Sequence, residues 1–229
     1  MNDWLPMDEE QSKTQIQEVL SLLGDSPKRV LDIGCGDGRL LLPMAVAGHE
    51  VTGMDIDPKA ISSCAAACAE VEVDANLVDG NVLELLPLTE PVDAVVCCGN
   101  TFMLFAEIEQ GVELLQLCRA SLRAGGMVII DDIPGDLWQE LTEGRWCNGV
   151  NDEETLQLVW SNNDAVFAIR QGDQVQADNW ELGEDDRLLR LWTMGDLRLA
   201  ARLSDLSPPE GSRVMTTGGT VLVMQMVDN

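Results

Sequence analysis

The sequence predicts an α/β fold, with a doubly wound, mostly parallel sheet, helices on both faces and an antiparallel, β-rich C-terminal portion. Strand and helix patterns alternate up to about residue 133, which is typical of a parallel sheet with right-handed crossovers. Beyond that point, short apolar segments are separated only by tight turns, as in antiparallel hairpins. A hydrophobic content of 45% is sufficient for a full core.

The first predicted elements alternate strictly between helix and strand. Residues 8–23 have apolar side chains at helical spacing. The apolar stretch RVLDIG (29–34) is the first predicted strand, a short helix over 38–48 follows it, and EVTGMDI (50–56) is the second strand. Another helix begins at Asp57, because Asp is a common N-cap residue and the proline after it suits the first helical position.

Three further strands and one helix complete the alternating part. The third strand is predicted within EVDANLVDG (72–80), and the fourth within PVDAVVCCGN (91–100). The continuous apolar run of the fourth indicates a strand that is buried on both faces. A helix over 106–123 leads to the fifth strand, GGMVIIDDI (125–133).

The C-terminal portion is predicted to contain antiparallel strands. The candidate strands are TLQLVW (155–160), AVFAIR (165–170), QVQADNWEL (174–182), RLLRLWT (187–193), LRLAARL (197–203) and TVLVMQMV (220–227). Predicted turns at 161–164, 194–196 and 218–219 separate some of them. We expect some of these strands to complete the main sheet and others to form a lid or side sheet over its ligand-binding face.

Charge and cysteine content restrict the partners and the compartment. The formal net charge is −26, from 40 acidic and 14 basic residues, and such a surface disfavours nucleic acid as a partner. No apolar run reaches the roughly 18 to 20 residues that cross a bilayer, and the acidic start MNDWLPMDEE predicts no signal or transit peptide. Seven cysteines without a C-x-x-C motif favour the reducing cytoplasm. The single histidine, His49, is predicted to be a surface turn residue.

Glycines and polar side chains follow the predicted strands at their carboxyl ends. Ligands of an open parallel sheet bind beyond these ends, so the residues are expected to converge. They are Gly34, Gly36, Gly38, Asp55, Asp79, Gly80, Asn81, Gly99, Asn100, Asp131 and Asp132.

The glycine-rich loop after the first strand reads D-x-G-x-G-x-G, starting at Asp32. It lacks the Lys and the Ser or Thr of a phosphate-binding P-loop. It also departs from the dinucleotide fingerprint, whose third glycine would fall on Arg39. A carboxylate at Asp32 is unfavourable for a pyrophosphate and favourable for a cationic amino group. A simple tight turn remains the alternative.

The stretches VLDIGCGDGRL, VTGMDIDP, LVDGNVLEL and DAVVCCGNTF resemble, in this order and spacing, the class I S-adenosylmethionine-dependent methyltransferases. The resemblance covers residues 28 to about 132. It implies a Rossmann-like sheet of the seven-stranded type and S-adenosyl-L-methionine as cofactor. We expect one domain over 1–229, with an N-terminal helix region (1–27), a cofactor-binding core (28–133) and a part that completes the sheet and forms a lid (134–229).

The resemblance assigns roles to individual residues. Asp32 would hold the methionine amino group through water or backbone, while Gly34 and Gly36 would let the backbone close on the cofactor. Asp55 would accept hydrogen bonds from both ribose hydroxyls, because a carboxylate offers two oxygens. Ile56 would pack on the adenine. A surface acid is the alternative for Asp55.

The resemblance places the adenine near the third strand and the methionine near the fourth. Asn81 would bind the adenine amine and the Val82 N–H would meet a ring nitrogen, although Asn81 is also a good turn residue. Cys98 and Asn100 would lie near the methionine, and Asn100 is equally well explained as a helix cap or turn residue. The full predicted cofactor set is Asp32, Gly34, Cys35, Gly36, Arg39, Asp55, Ile56, Gly80, Asn81, Val82, Cys98 and Asn100.

The implied activity is methyl transfer to a small-molecule acceptor, by in-line displacement that depends on orientation and desolvation. Asn100, Thr101 and Asp131 are the candidate catalytic residues, and Asp132 is a further substrate-facing candidate. No metal site is predicted, because no third ligand accompanies the two adjacent aspartates. A non-catalytic S-adenosylmethionine-binding protein and an aminopropyl transferase are the alternatives, and the sequence leaves the oligomeric state open.

Overall fold

The computed structural model describes residues 9–132, 147–212 and 220–227, and the predicted turn at 218–219 lies outside these ranges. The strands are β1 (Arg29–Ile33), β2 (Glu50–Asp55), β3 (Asn76–Asp79), β4 (Val92–Cys97), β5 (Leu122–Asp132), β6 (Gly149–Val150), β7 (Leu156–Trp160), β8 (Val166–Gln171), β9 (Leu189–Arg190), β10 (Glu210–Ser212) and β11 (Thr220–Gln225). The α-helices are α1 (Glu9–Leu23), α2 (Leu41–Val46), α3 (Pro58–Glu70), α4 (Val82–Leu85), α5 (Ile108–Ser121) and α6 (Met194–Leu203). Short 3-10 helices span Thr101–Leu104 and Gly172–Gln174.

The main sheet has seven strands in the order β10-β11-β5-β4-β1-β2-β3. Strands β1 to β5 pair in parallel, and β11 joins β5 antiparallel, with β10 at the edge. The chain therefore runs from β1 toward one edge and returns to the other side through β4. The crevice between β1 and β4 is the switch point at which such sheets bind ligands. The predicted fold class is confirmed.

Two apolar clusters cover the two faces of the main sheet. In β4, every residue is buried, and alternate side chains enter opposite clusters, with Val95 on one face and Val96 on the other. Helices α4, α5 and α6 contribute to the first cluster, and α1, α2 and α3 contribute to the second. Across the described ranges, the helices are too short or too polar to cross a bilayer.

The second sheet is antiparallel, with the order β6-β7-β8-β9. It packs on the segment that follows β4, because Leu189 and Leu191 share an apolar cluster with Met103 of the first 3-10 helix. The buried Arg190 strengthens this attachment, since its Nε donates to the Ala106 carbonyl at 2.5 Å. We call β6–β9 the side sheet. Its packing fixes where residues just before β9 lie relative to the end of β4.

The predicted strand over 174–182 is wrong. Its backbone carbonyls are bound by buried side chains of the side sheet and have no strand partner. Gln157 Nε2 donates to the carbonyls of Gln176 and Asn179, and Arg170 donates to those of Asn179 and Glu181. These two side chains therefore take the place of a neighbouring strand for this segment.

The predicted strand LRLAARL and the predicted turn before it are also wrong, because both belong to helix α6. A capping box starts this helix: Thr193 Oγ1 accepts from the Asp196 N–H, and Asp196 Oδ2 accepts from the Thr193 N–H. The buried residues Leu197, Ala200 and Ala201 follow helical spacing. In the preceding stretch RLLRLWT, the strand is limited to Leu189–Arg190.

The prediction of His49 as a surface residue is wrong. It is 5% exposed and lies directly before β2, where its Nδ1 accepts from the Lys28 N–H at 3.3 Å. Burial lowers the pKa of the imidazole, and the nearby Lys28 lowers it further. His49 therefore belongs to the amino ends of the strands, whereas the candidate site lies at their carboxyl ends.

Candidate active site

A cavity of about 660 Å³ lies at the carboxyl ends of β1, β2 and β4, a volume within the usual range for small-molecule sites. The structure brings the whole predicted cofactor set together on its walls: Asp32, Gly34, Cys35, Gly36, Arg39, Asp55, Ile56, Gly80, Asn81, Val82, Cys98 and Asn100. Thr101 also lines the cavity, whereas Asp131 does not. The side chain of Asp132 lies outside the described part of the structure.

The glycine-rich loop takes a backbone that side chains would resist. Gly34, Gly36 and Gly38 have φ values of 69°, 57° and 99°. A Cβ on Gly34 would lie 2.5 Å from Thr101 Cγ2, so this glycine admits Thr101 beside the loop. The sequence analysis explained these glycines by contact with the cofactor. At Gly34, the structure shows that the close neighbour is the Thr101 side chain.

Asp55 fixes the loop against β2. Its Oδ2 accepts from the Gly36 N–H at 2.9 Å, and its Oδ1 accepts from the Asp57 N–H at 2.9 Å. Each carboxylate oxygen has a second lone pair, so these bonds leave acceptor capacity toward the cavity. Ile56 beside it is 69% exposed on the cavity wall, which is unusual for a large apolar side chain and suits a stacking surface.

Asp32 is a buried carboxyl group at the floor of the cavity. It is 2% exposed, and its Oδ2 has no hydrogen-bond partner among the described residues. Burial raises the pKa of Asp32 to about 7, although Arg39 lowers it in part. A cation bound near this carboxyl would stabilise its ionised form and offset the cost of burying the charge. The group is therefore suited to a positively charged ligand.

Asp131 fixes the loop after β4 through hydrogen bonds to its backbone. Its buried Oδ2 accepts from the Gly99 N–H at 2.5 Å, from the Asn100 N–H at 2.9 Å and from Gln15 Nε2 at 3.3 Å. These bonds support Asn100 in a left-handed conformation with φ 65°. The geometry makes Asp131 a positioning residue for this loop.

Gln15 of helix α1 connects two walls of the cavity, and sequence reasoning missed it. It is fully buried, and its Oε1 accepts from Arg39 Nη2 at 2.6 Å while its Nε2 donates to Asp131. A signal was present in the sequence. Gln15 precedes Val19 by one helical turn and therefore lies on the apolar face, where a polar side chain needs a partner.

Asn81 has a local role as the N-cap of α4. Its Oδ1 accepts from the Leu83 N–H, and its Nδ2 donates to Glu84 Oε1, both at 3.1 Å. Val82 N–H is the first of the helix and has no intrahelical partner. Both residues line the cavity, and their adenine roles stay predictions.

The cavity wall that follows β4 contains residues without a sequence signal. Leu104 and Phe105 provide apolar surface, and Arg187 reaches the cavity from the approach to β9. Among the described residues, no group of three or more His, Cys, Asp and Glu side chains could hold a metal ion. This wall therefore offers an apolar surface and a guanidinium.

The comparisons with known proteins agree with the fold. Residues 30–126 match the family described as a methyltransferase domain. This part of the chain is therefore a methyltransferase domain. The predicted resemblance is confirmed, and the match contains the glycine-rich loop, Asp55 and the end of β4 in one methyltransferase domain.

Two curated relatives of the methyltransferase domain are ubiquinone biosynthesis O-methyltransferases. The protein from Alkalilimnicola ehrlichii is 32% identical over 107 residues, which are 46% of this chain and 42% of that protein. The one from Bordetella bronchiseptica is 34% identical over 122 residues, 52% of this chain and 47% of that protein. The match thus spans less than half the length of these relatives.

A solved structure extends the likeness over nearly the whole chain. An S-adenosylmethionine-dependent methyltransferase from Clostridium acetobutylicum matches with a TM-score of 0.70 at 13% identity, covering 97% of this chain and 94% of that one. At this identity the match shows a common fold. The methyltransferase fold therefore includes the C-terminal part, for which the motifs gave no prediction.

Proposed function

We propose that the protein transfers a methyl group from S-adenosyl-L-methionine to a small-molecule acceptor. The observation that carries this proposal is Asp32, a buried carboxyl with an unpartnered oxygen in a cavity built from the motifs of the methyltransferase domain. A ligand with an ammonium group satisfies this oxygen. S-adenosyl-L-methionine has such a group, and when bound it supplies a methyl group on a positively charged sulfur.

The other residues of the cavity fit the remaining parts of this cofactor. Asp55 has acceptor capacity for two ribose hydroxyls, and Ile56 offers an exposed apolar surface for the adenine. The Val82 N–H and Asn81 are suited to the edge of the adenine. The fit supports a cofactor that runs along the wall from α4 to the glycine-rich loop.

The chain mainly orients the acceptor and excludes water. Transfer forms a bond from the acceptor's nucleophilic atom to the methyl carbon and breaks the methyl–sulfur bond, and the acceptor's proton passes to solvent. Asn100 and Thr101 line the cavity near the end of β4, where they can position the acceptor. Leu104 and Phe105 reduce access of water, which favours a transfer in which charge is lost.

The state of the cysteines supports a location in the reducing cytoplasm. All seven are free thiols, and all but Cys147 are buried. Free thiols in this number are typical of a reducing compartment.

Two variants test the cofactor assignment with two ligands, S-adenosylhomocysteine and adenosine, by isothermal titration calorimetry. Asp55→Ala removes the ribose contact and should weaken both ligands by about 10-fold or more. Asp32→Asn removes the ammonium contact and should weaken S-adenosylhomocysteine alone. Asp74→Ala, an exposed acid outside the cavity, is the control.

Unchanged affinities in Asp55→Ala would contradict the ribose assignment. Formation of S-adenosylhomocysteine is then followed over a panel of phenols, amines and carboxylic acids. Tight cofactor binding without turnover on any acceptor would favour the non-catalytic alternative.

A further inference from the structure

We infer that the acceptor carries a carboxylate, and that Arg187 binds it at the rim of the cavity; this rests on the proposed methyl transfer. Among the described residues that line the cavity, the cations are Arg39 and Arg187, and the acids are Asp32, Asp37, Asp55 and Asp57. An anionic group therefore finds few favourable positions in this cavity. The two arginines differ in what they already bind.

Arg39 already binds side chains of helix α1. Its Nη2 donates to Gln15 at 2.6 Å, and its Nη1 donates to Ser12 Oγ at 3.4 Å. Its charge also lowers the pKa of Asp32. Arg39 therefore belongs to the network that connects α1, the glycine-rich loop and the floor of the cavity.

Arg187 is exposed and makes no hydrogen bond or ion pair with a described residue. The acid beside it, Asp186, is bound on both oxygens by the buried Arg170, at 2.8 and 2.7 Å. On the cavity wall, Arg187 is thus a guanidinium that pairs with no carboxylate of the described residues, although the chain has 40 acidic and only 14 basic residues. It is available for an anion that enters the cavity.

The fold places Arg187 on the acceptor side of the cavity. It lies just before Leu189, which packs with Met103 of the first 3-10 helix, and Arg190 donates to the Ala106 carbonyl. These anchors keep Arg187 with the wall formed by Leu104 and Phe105. Asp32 and the glycine-rich loop, which suit the cofactor's methionine, lie instead at the carboxyl end of β1.

This wall specifies the chemistry of the acceptor. Leu104 and Phe105 offer contact to an apolar body, and the guanidinium offers two parallel N–H donors to a planar carboxylate. The overall charge of −26 repels anions, so a local cation is needed to hold one at the site. An aromatic or aliphatic acid with a nucleophilic hydroxyl or amine meets these conditions.

Matched acceptor pairs test the inference. Hydroxybenzoic and aminobenzoic acids are compared with their primary amides, which keep the size and the nucleophile and lose the charge. The wild-type protein should prefer the acid by about 10-fold in kcat/KM. Arg187→Gln should abolish this preference, and Arg187→Lys should retain part of it. Arg198→Gln, an exposed arginine of α6 outside the cavity, should behave as wild type.

The cofactor has a carboxylate of its own, so its affinity is measured in the same variants. Arg187→Gln should leave the dissociation constant of S-adenosylhomocysteine unchanged. A weaker cofactor together with an unchanged acceptor preference would overturn the inference, because Arg187 would then bind the cofactor's carboxylate. A wild-type protein without any preference for the acids would also overturn it.

Acceptor binding to the protein saturated with S-adenosylhomocysteine separates this test from the proposed activity. Acids that bind more tightly than their amides, with the difference lost in Arg187→Gln, support the carboxylate site even when no methylated product forms. That absence of product would contradict the proposed methyl transfer alone. If neither acids nor amides bind, the inference is overturned.

Discussion

At the scale of single residues, Asp32 combines a structural cost with the binding role proposed for it. Its carboxyl is buried, and burial raises its pKa to about 7. The unfolded chain ionises this group near its ordinary value of 3.8, whereas the fold favours the protonated form. Between these two pH values the folded protein binds more protons, so its free energy of unfolding falls as pH rises. A bound ammonium group would reverse this cost.

Replacing Asp32 with Asn should stabilise the ligand-free protein at about pH 8, because the amide is neutral at every pH. The expected increase in Tm is about 2–4 °C, which corresponds to ~1 kcal/mol for a chain of this size. The increase should shrink as pH falls and should vanish near pH 4. Differential scanning calorimetry across this range measures it, with Asp74→Asn as the control. A Tm difference that is independent of pH would contradict the assignment of the raised pKa.

The residues of the site were predictable to different extents. Asp32, Asp55 and Asn81 lie at or near the carboxyl ends of strands, the order of the motifs predicts these positions, and the structure brings the three residues together. Arg187 belongs to a polar stretch without a motif, and only the packing of the side sheet moves it to the cavity. Its position depends on tertiary contacts that a local pattern does not encode.

At the scale of elements, helix α1 participates in the site although it lies outside the matched methyltransferase domain. Its Gln15 is the shared partner of Arg39 and Asp131, which belong to different walls of the cavity. A hydrogen bond to a charged group is worth about 1.5–3 kcal/mol, so the loss of this residue affects both walls. The helix therefore positions the glycine-rich loop relative to the end of β4.

The variant Gln15→Leu should weaken S-adenosylhomocysteine by about 5- to 10-fold, because Arg39 and Asp131 lose their common partner. Leucine retains the volume and the helix propensity, so the variant should still fold. The loss of two hydrogen bonds to charged groups should lower its Tm by about 5 °C or more. Calorimetric titration measures the affinity, and Gln17→Leu on the exposed face of the same helix is the control. An unchanged affinity would contradict a positioning role for Gln15.

Helix α6 shows why one element was assigned to the wrong class. Alternating leucines and arginines in LRLAARL fit a strand as well as a helix over a short window. The capping box of Thr193 and Asp196 was the decisive local signal, and it preceded the window. By contrast, α3 was predicted correctly from its Asp57 cap, which is observed with the Lys59 N–H as donor.

At the scale of the whole molecule, the dominant property is the net charge of −26. Some carboxylates are paired, as in the contacts of Arg29 with Glu50 and Glu90. The excess of acids over bases leaves most of them without a basic partner. Exposed ion pairs contribute little to stability, whereas like charges across the surface repel one another.

Added salt should therefore stabilise the protein. Raising NaCl from about 0.02 M to about 0.5 M shortens the Debye length from roughly 20 Å to below 5 Å and screens the repulsion. We expect a Tm increase of about 3 °C or more near neutral pH. The increase should be smaller near pH 4, where many carboxylates are protonated. A Tm that falls with salt would show that ion pairs outweigh repulsion.

The side sheet is encoded by one uninterrupted stretch between β5 and α6, and its described attachments to the end of β4 are few. The side sheet contacts Met103 and donates a hydrogen bond to the Ala106 carbonyl, and neither residue belongs to the glycine-rich loop. If the proposed function holds, this stretch can be exchanged as a unit to change the acceptor while the residues proposed for the cofactor stay unchanged. Protein engineers can use the same boundary, by grafting the corresponding stretch of a methyltransferase with a similar fold between β5 and α6.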